Sequence, residues 1–255
     1  MFSISIFVAA SASQIAEVLA GMRAESARLV SAASQPPPAR LPAGSPALDA
    51  LTGGGLPRGR IVELTGPRGS GRMSTVLTMT AAVQATGELV ALVDVADALD
   101  PRSALRAGVV LPRLLWVRPQ SLIDGLRATD WVLDAGGFGL VVLYAAGVTS
   151  ARADERPRPW RRKSDVRGDA PWIRLARGAE RAKSALVVVG DRPTVGTVAA
   201  MSLAGERGRA RFVGGERGAP LILDGVQGRI AVARSKLGPP AATAEVALDV
   251  AVARR

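Results

Sequence analysis

The sequence GRIVELTGPRGSGRM, residues 59–73, combines three local patterns. Residues 59–65 are mostly apolar and β-branched, which is typical of a buried strand. Three glycines between residues 66 and 71 then predict a tight turn, and residues 74–84 carry apolar side chains at helical spacing. A strand, a glycine-rich turn and a helix in this order place backbone amides and a helix N-terminus where they can bind phosphate.

The phosphate-binding motif with this layout, G-x-x-x-x-G-K-[ST], is only partly present. Arg72 stands at the lysine position and Met73 at the hydroxyl position. Arginine keeps the charge on a larger planar fork, whereas lysine is a compact point charge. Methionine offers no oxygen to Mg²⁺, and the next hydroxyl lies about 100° farther round the helix. We therefore predict a degenerate nucleotide-binding loop comprising Gly66, Gly69, Gly71, Arg72, Met73 and Ser74.

Composition narrows the chemistry that this chain can perform. It has no cysteine and no histidine, which excludes disulfides, the usual zinc and haem ligand sets, and histidine-based acid–base catalysis. The net charge is +11, and 30 of the 33 basic residues are arginine. This excess favours polyanionic partners, because guanidinium groups suit phosphate. An arginine-rich genome would produce the same excess, so both interpretations stay open.

We divide the chain into three parts. Residues 1–39 hold an N-terminal helix and a proline-rich linker, residues 40–240 form the core domain, and residues 241–255 are a C-terminal tail. Residues 2–12 are apolar, but no basic residue precedes Arg23 and the run is too short to span a bilayer. The sequence thus predicts a cytoplasmic protein that makes no membrane contact.

Beyond the glycine-rich turn, short apolar runs alternate with stretches of helical spacing. This alternation predicts an α/β domain, in which a central, mostly parallel sheet is flanked by helices. The predicted strands lie at 89–93, 114–117, 140–144, 186–190, 211–213, 221–223, 229–234 and 246–252, and the predicted helices at 13–33, 47–51, 74–84, 122–135 and 172–183.

Residues 150–170 interrupt the alternation with a run of basic side chains. Arginines interleaved with a tryptophan suit contacts with nucleic-acid phosphates and stacking on a base. A solvated loop, or a loop that docks an acidic protein, would have the same composition. The candidate DNA or partner contacts are Arg152, Arg156, Arg158, Trp160, Arg161, Arg162, Lys163 and Arg167.

Two long segments in the front half resemble the core of bacterial RecA-type recombinases. They read SPALDALTGGGLPRGRIVELTGP (45–67) and VDVADALDP (93–101). In the back half, PWIRLARGAERAKSALVVVGDRP (171–193) and GRIAVARSKLGPP (228–240) look like ImuA, the RecA-related partner in bacterial mutasomes. That group is sometimes labelled as SulA-like cell-division inhibitors. The resemblance covers residues 41–240 and implies a RecA-like P-loop NTPase core.

The RecA resemblance implies ATP binding and hydrolysis, so we compared the positions that would carry the reaction. The glutamate that activates water in recombinases corresponds to Ala96, and the Walker-B aspartate corresponds to Tyr144. Asp97 is next to Ala96, and we do not assign it the role of the water-activating glutamate. Glu63 and Asp94 we interpret as structural carboxylates of the strands. We expect a pseudo-ATPase with no catalytic residue, no bound metal and no required cofactor; ATP binding without hydrolysis stays open.

The ImuA resemblance implies a non-hydrolysing adaptor in SOS-induced translesion synthesis and mutagenesis. Its expected partners are RecA and an ImuB-like Y-family polymerase homologue, indirectly an error-prone C-family polymerase, and single-stranded DNA at the basic segment. One alternative is a divergent DNA-dependent ATPase or recombinase that uses Arg72 with a recruited carboxylate such as Asp97. Another is a cell-division inhibitor that acts on FtsZ. The helix at 13–33 and the strand at 246–252 are candidate partner-binding elements.

Overall fold

The computed structural model describes residues 38–147, 169–215, 220, 222–237 and 244–249. The chain separates into two compact units, Met1–Pro37 and Pro38–Arg255, and the described residues all belong to the second. The predicted helix at 13–33 and all eight candidate contacts of the basic segment, Arg152 to Arg167, lie outside the described residues.

Eleven strands and five α-helices make up the described part of the chain. The strands are β1 (Arg40–Leu41), β2 (Leu56–Pro57), β3 (Ile61–Thr65), β4 (Leu89–Asp94), β5 (Leu114–Val117), β6 (Phe138–Tyr144), β7 (Ala185–Gly190), β8 (Met201–Gly205), β9 (Arg209–Val213), β10 (Ile222–Ser235) and β11 (Ala244–Asp249). The helices are α1 (Pro46–Leu51), α2 (Arg72–Ala85), α3 (Pro101–Arg106), α4 (Leu122–Ala135) and α5 (Ala170–Ala182).

Nine of these strands form one sheet in the order β11-β10-β8-β3-β7-β6-β4-β5, and β9 pairs with β10 beside this path. The pairings from β8 through β5 are all parallel, whereas β10 pairs antiparallel with β8, β9 and β11. The prediction of an α/β fold with a mostly parallel sheet is therefore confirmed.

Helices cover both faces of the sheet, which explains why its inner strands are apolar on both sides. On one face, Val62 and Leu64 of β3 pack in a core with α1, α2 and α3. On the other face, Ile61 of the same strand packs in a second core with α4 and α5. Neighbouring residues of a strand point to opposite faces, so a single five-residue strand contributes to both cores.

The predicted core elements up to β7 are confirmed, with ends that shift by no more than two residues. After β7, the predicted strands at 211–213 and 246–252 correspond to β9 and β11, but the prediction was wrong in two other places. It missed β8, Met201–Gly205, and it split β10 into two strands at 221–223 and 229–234, although β10 runs unbroken for 14 residues. Ser202 and two glycines of β10 weaken the apolar pattern, and pairing with neighbouring strands, rather than propensity, makes these segments extended.

Side chains cap three of the five helices at their N-termini. Ser45 caps α1, Asp100 caps α3 and Ser121 caps α4, each accepting a backbone N–H bond, as expected for these residue types. Helix α2 differs, because Gly71 stands at its N-cap in the left-handed conformation, with φ of 77°, and contributes no side-chain bond. The first amides of α2 therefore face the glycine-rich turn without a side-chain cap.

Candidate functional site

The candidate site lies where four parallel strands end side by side. Thr65 of β3 pairs with Gly190 of β7, and Tyr144 of β6 lies between Val189 of β7 and Asp94 of β4. The carboxyl ends of parallel strands are the usual ligand-binding edge of an open α/β sheet. The fold thus brings together three places that the sequence analysis singled out, namely the glycine-rich loop, the segment after β4 and the end of β6.

The glycine-rich loop is closely packed at its start. A Cβ atom on Gly66 would lie 2.6 Å from both the Gly205 carbonyl oxygen and Ser70 Oγ, which no side chain tolerates. Farther along, the Gly69 carbonyl oxygen accepts a 3.1 Å hydrogen bond from the Gly208 amide. The turn between β8 and β9 therefore holds the loop in place, and the glycines have a structural role whether or not phosphate binds.

Arg72, at the lysine position of the motif, is bound to the protein itself. Its side chain is 7% exposed, and Nη1 donates to Asp191 Oδ1 at 2.6 Å and to the Gly190 carbonyl oxygen at 2.9 Å. The guanidinium group thus lies against the end of β7. No sequence pattern pointed to Asp191, because it lies 119 positions from Arg72 and only the alignment of β3 with β7 brings the two residues together.

Asp191 also accepts a hydrogen bond from the Gly147 amide at 2.7 Å. Burial of this carboxyl acts to raise its pKa, but the bonds from Arg72 and Gly147, with the charges of Arg72 and Arg68, outweigh burial and hold the pKa of Asp191 below its usual value. Asp191 is therefore an anion that joins α2, β7 and the residues after β6.

The other substituted positions offer no ligand to a magnesium ion. Met73 is partly buried and packs against the core beneath α2. Tyr144 is 6% exposed. Burial chiefly raises the pKa of its phenol, the charges of Asp94 and Asp191 raise it further, and the charge of Arg72 acts in the opposite direction. A neutral, buried phenol is a poor replacement for an aspartate as a metal ligand.

Hydrogen bonds to Asp94 hold the segment after β4. Asp94 is fully buried, and its Oδ2 accepts 2.9 Å bonds from the amides of Ala98 and Leu99. Ala96, at the position of the water-activating glutamate, packs against the core. These contacts agree with the interpretation of Asp94 as a structural carboxylate.

Asp97 is engaged by a neighbouring arginine. Both of its carboxylate oxygens accept 2.7 Å bonds from Arg118, and the hydrogen bond from Arg118 lowers the pKa of Asp97. Arg118 in turn stacks on Trp116, with its guanidinium carbon 4.9 Å from the ring centroid. A lowered pKa makes a carboxylate a weaker base, so the pair with Arg118 disfavours Asp97 as the group that removes a proton from water.

Glu63 is the one carboxylate of β3 and binds the loop that carries Asp191. Its side chain is 1% exposed. Oε1 accepts bonds from the amides of Thr194 and Val195 at 2.6 and 2.9 Å, and Oε2 accepts from Ser202 Oγ at 3.3 Å. The Glu63 carboxylate therefore links β3 to the loop after β7 and stabilises the conformation of that loop.

We tested whether the residues at this edge fit a magnesium-bound nucleotide. The cation at position 72 is paired with Asp191, position 73 has no oxygen, and Tyr144 and Ala96 stand where carboxylates would be needed. Within the described ranges, no three acidic, histidine or cysteine side chains cluster closely enough to hold a metal ion. The residues present do not fit a magnesium-bound nucleotide.

The described part of the chain contains no helix that is both long and apolar enough to cross a membrane.

Comparisons with curated proteins find RecA proteins that match just under half of the chain. The chain is 38% identical over 115 residues to RecA from Lactobacillus delbrueckii subsp. bulgaricus and 41% identical over 115 residues to RecA from Methylococcus capsulatus. Each alignment covers 45% of this chain and 35% or 33% of the relative. The chain therefore matches only about a third of the length of these relatives.

A solved structure of the RadB recombinase has a similar fold. The two align with a TM-score of 0.59 and 18% identity, over 80% of this chain and 94% of the RadB chain. At this identity the likeness concerns the fold alone. The model of the RecA N-terminal domain family matches residues 24–155, more than half of the chain. On this match, and with the fold in agreement, the chain belongs to the RecA N-terminal domain family.

Proposed function

We propose that this protein is a RecA-like adaptor that binds partners without hydrolysing ATP. The observation that carries the proposal is the contact of Arg72 with Asp191 and Gly190, which occupies the cation at the lysine position with an internal partner. A phosphate-loop lysine must instead face the β- and γ-phosphates. The fold of the family is retained, but the charged side chain at the lysine position, Arg72, binds Asp191 and Gly190 of the protein itself.

The remaining substitutions support the proposal through the energetics of phosphoryl transfer. Positioned metal ligands and a group that orients water each supply several kcal/mol of transition-state stabilisation. Met73, Ala96 and Tyr144 provide neither. Each loss lowers the rate constant by its own factor, and these factors multiply. We therefore propose that turnover is abolished rather than slowed.

We further propose that the adaptor is of the ImuA type and acts in the cytoplasm during damage-induced translesion synthesis. The support is the resemblance of residues 171–193 and 228–240, which correspond to α5, β7 and the second half of β10. Its partners would be RecA and an ImuB-like Y-family polymerase homologue, with an error-prone C-family polymerase reached indirectly. Single-stranded DNA would contact the basic segment at 150–170.

The proposal predicts that partner binding is independent of nucleotide. Calorimetric titration with ATP and Mg²⁺, with and without single-stranded DNA, should give no saturable heat, and phosphate release should equal the background. The dissociation constants for purified RecA and for the polymerase homologue should be unchanged when ATP is added. Failure to associate with either protein would defeat the adaptor function.

The phosphate-release assay also tests the alternative, in which the protein is a DNA-dependent ATPase. Phosphate release that depends on DNA in the wild-type protein, and that is lost in an Arg72→Ala variant, would establish an enzyme. If release persists in Arg72→Ala, a contaminating ATPase explains it better, because the only cation at the lysine position has then been removed.

A further inference from the structure

A groove runs between α4 and α5 on the face of the sheet opposite α2 and α3. Its volume is about 460 Å³. The helices approach closely at one point, where a Cβ on Gly178 would lie 3.4 Å from the Leu133 side chain. The groove is lined by Asp130, Asp134, Ile173, Arg174, Arg177 and Arg181, and none of these residues belongs to the site at the strand ends.

The charges along this groove are only partly paired. Arg174 binds Asp130, and Arg181 binds Asp134 at 2.7 Å. Arg177 is exposed between these two pairs and has no carboxylate within ion-pair distance in the described part of the chain. The groove therefore presents one guanidinium group that is free to bind an anionic group from outside, with two fixed ion pairs beside it.

Two exposed apolar side chains lie on the helices that form the groove. Ile173 of α5 lines it and is 41% exposed. Trp131 of α4 is 70% exposed and lies three residues before the lining residue Asp134, a spacing that puts the two on one side of the helix. Tryptophan and arginine are the side chains most often found at the energetic centre of protein interfaces, and the two helices each expose one of them, Trp131 and Arg177.

We infer that this groove docks an acidic segment of a partner protein. A carboxylate of the segment would bind Arg177, and apolar side chains next to it would cover Trp131 and Ile173. Nucleic acid is a poorer match, because it carries a phosphate at every nucleotide and would set several of them against Asp130 and Asp134, whereas a peptide needs to present only one carboxylate, at Arg177. The inference rests on the proposed adaptor function, for which it supplies the binding surface of one protein partner.

Two substitutions and two matched controls test this inference in the full chain. Trp131→Ala and Arg177→Glu alter exposed side chains of the groove, so the fold should be retained. Leu105→Ala and Arg102→Glu make the same kinds of change on α3, where Leu105 is 57% exposed, on the opposite face of the sheet. Circular dichroism and thermal unfolding should show that all four variants remain folded.

Binding is measured by calorimetry against purified RecA filaments and the Y-family polymerase homologue. For one of these proteins, we expect both groove variants to raise the dissociation constant about tenfold or more, and the α3 controls to change it by less than about twofold. If the wild-type chain binds neither protein, the adaptor function itself fails. If it binds and the groove variants match the controls, only the groove inference is overturned. A loss confined to single-stranded DNA binding would overturn it as well.

A photo-cross-linker in place of Ile173 tests the chemistry of the occupant. The cross-linked segment of the bound partner should contain aspartate or glutamate next to apolar residues, and charge reversal of that acidic residue should restore binding to Arg177→Glu. Capture of a basic segment would contradict the inference, since Arg177 would then repel it.

Discussion

Glu63→Ala is expected to lower the free energy of unfolding by about 4 kcal/mol. Glu63 is 1% exposed and accepts hydrogen bonds from the amides of Thr194 and Val195 and from the Ser202 hydroxyl. Alanine would leave the buried Val195 amide and Ser202 hydroxyl without an acceptor, and each unsatisfied group costs about 1–3 kcal/mol. The loss would be a large share of the stability of about 5–15 kcal/mol that is usual for a folded domain.

Urea denaturation followed by circular dichroism measures this change, and the chain provides a matched control. Glu180 binds Arg60 at the surface, where their side chains are 60% and 37% exposed, so Glu180→Ala should cost less than about 1 kcal/mol. Glu63→Gln keeps one carbonyl oxygen for the loop amides and should lie between the two. If Glu63→Ala unfolds at the same urea concentration as Glu180→Ala, the hydrogen bonds of Glu63 do not stabilise the fold as we expect.

Asp191→Ala is expected to lower the free energy of unfolding by about 2 kcal/mol. The substitution leaves the guanidinium group of Arg72, whose side chain is 7% exposed, with a carbonyl oxygen but no countercharge. Breaking a buried ion pair costs about 3–5 kcal/mol. We expect less because the Asp191 side chain is 43% exposed and solvent weakens its part of the pair.

A double-mutant cycle separates the pair from other effects of the substitutions. Arg72→Met and Asp191→Ala combined should destabilise the protein by less than the sum of the single changes, with a coupling of about 1 kcal/mol or more. Strict additivity of the two unfolding free energies would mean that the contact contributes nothing to stability.

The same pair predicts how stability depends on pH. The pKa of Asp191 is lowered in the folded state, so its contribution is present above the unfolded pKa of about 3.9 and is lost as pH falls through the folded value. The difference in unfolding free energy between wild type and Asp191→Asn should therefore be full at neutral pH and should shrink below about pH 4. A difference that grows on acidification would contradict the direction of this pKa.

Local patterns predicted the first two-thirds of the described fold well. Helix α4 was predicted with its observed bounds, Leu122–Ala135, because its apolar side chains recur at helical spacing within one segment. Strand β8 was missed because Met201–Gly205 is extended only through its pairing with β3 and β10. A short segment with mixed side chains has no pattern of its own to reveal such a strand.

The candidate site shows the same division between local and distant information. The sequence by itself determined which groups are missing, because the identities at positions 72, 73, 96 and 144 exclude particular ligands and charges. Only the tertiary structure decided what the remaining charged groups do. Arg72 binds Asp191 and Glu63 holds the loop after β7 because parallel pairing of β3 with β7 brings together residues more than a hundred positions apart, and spacing along a chain carries no record of that pairing.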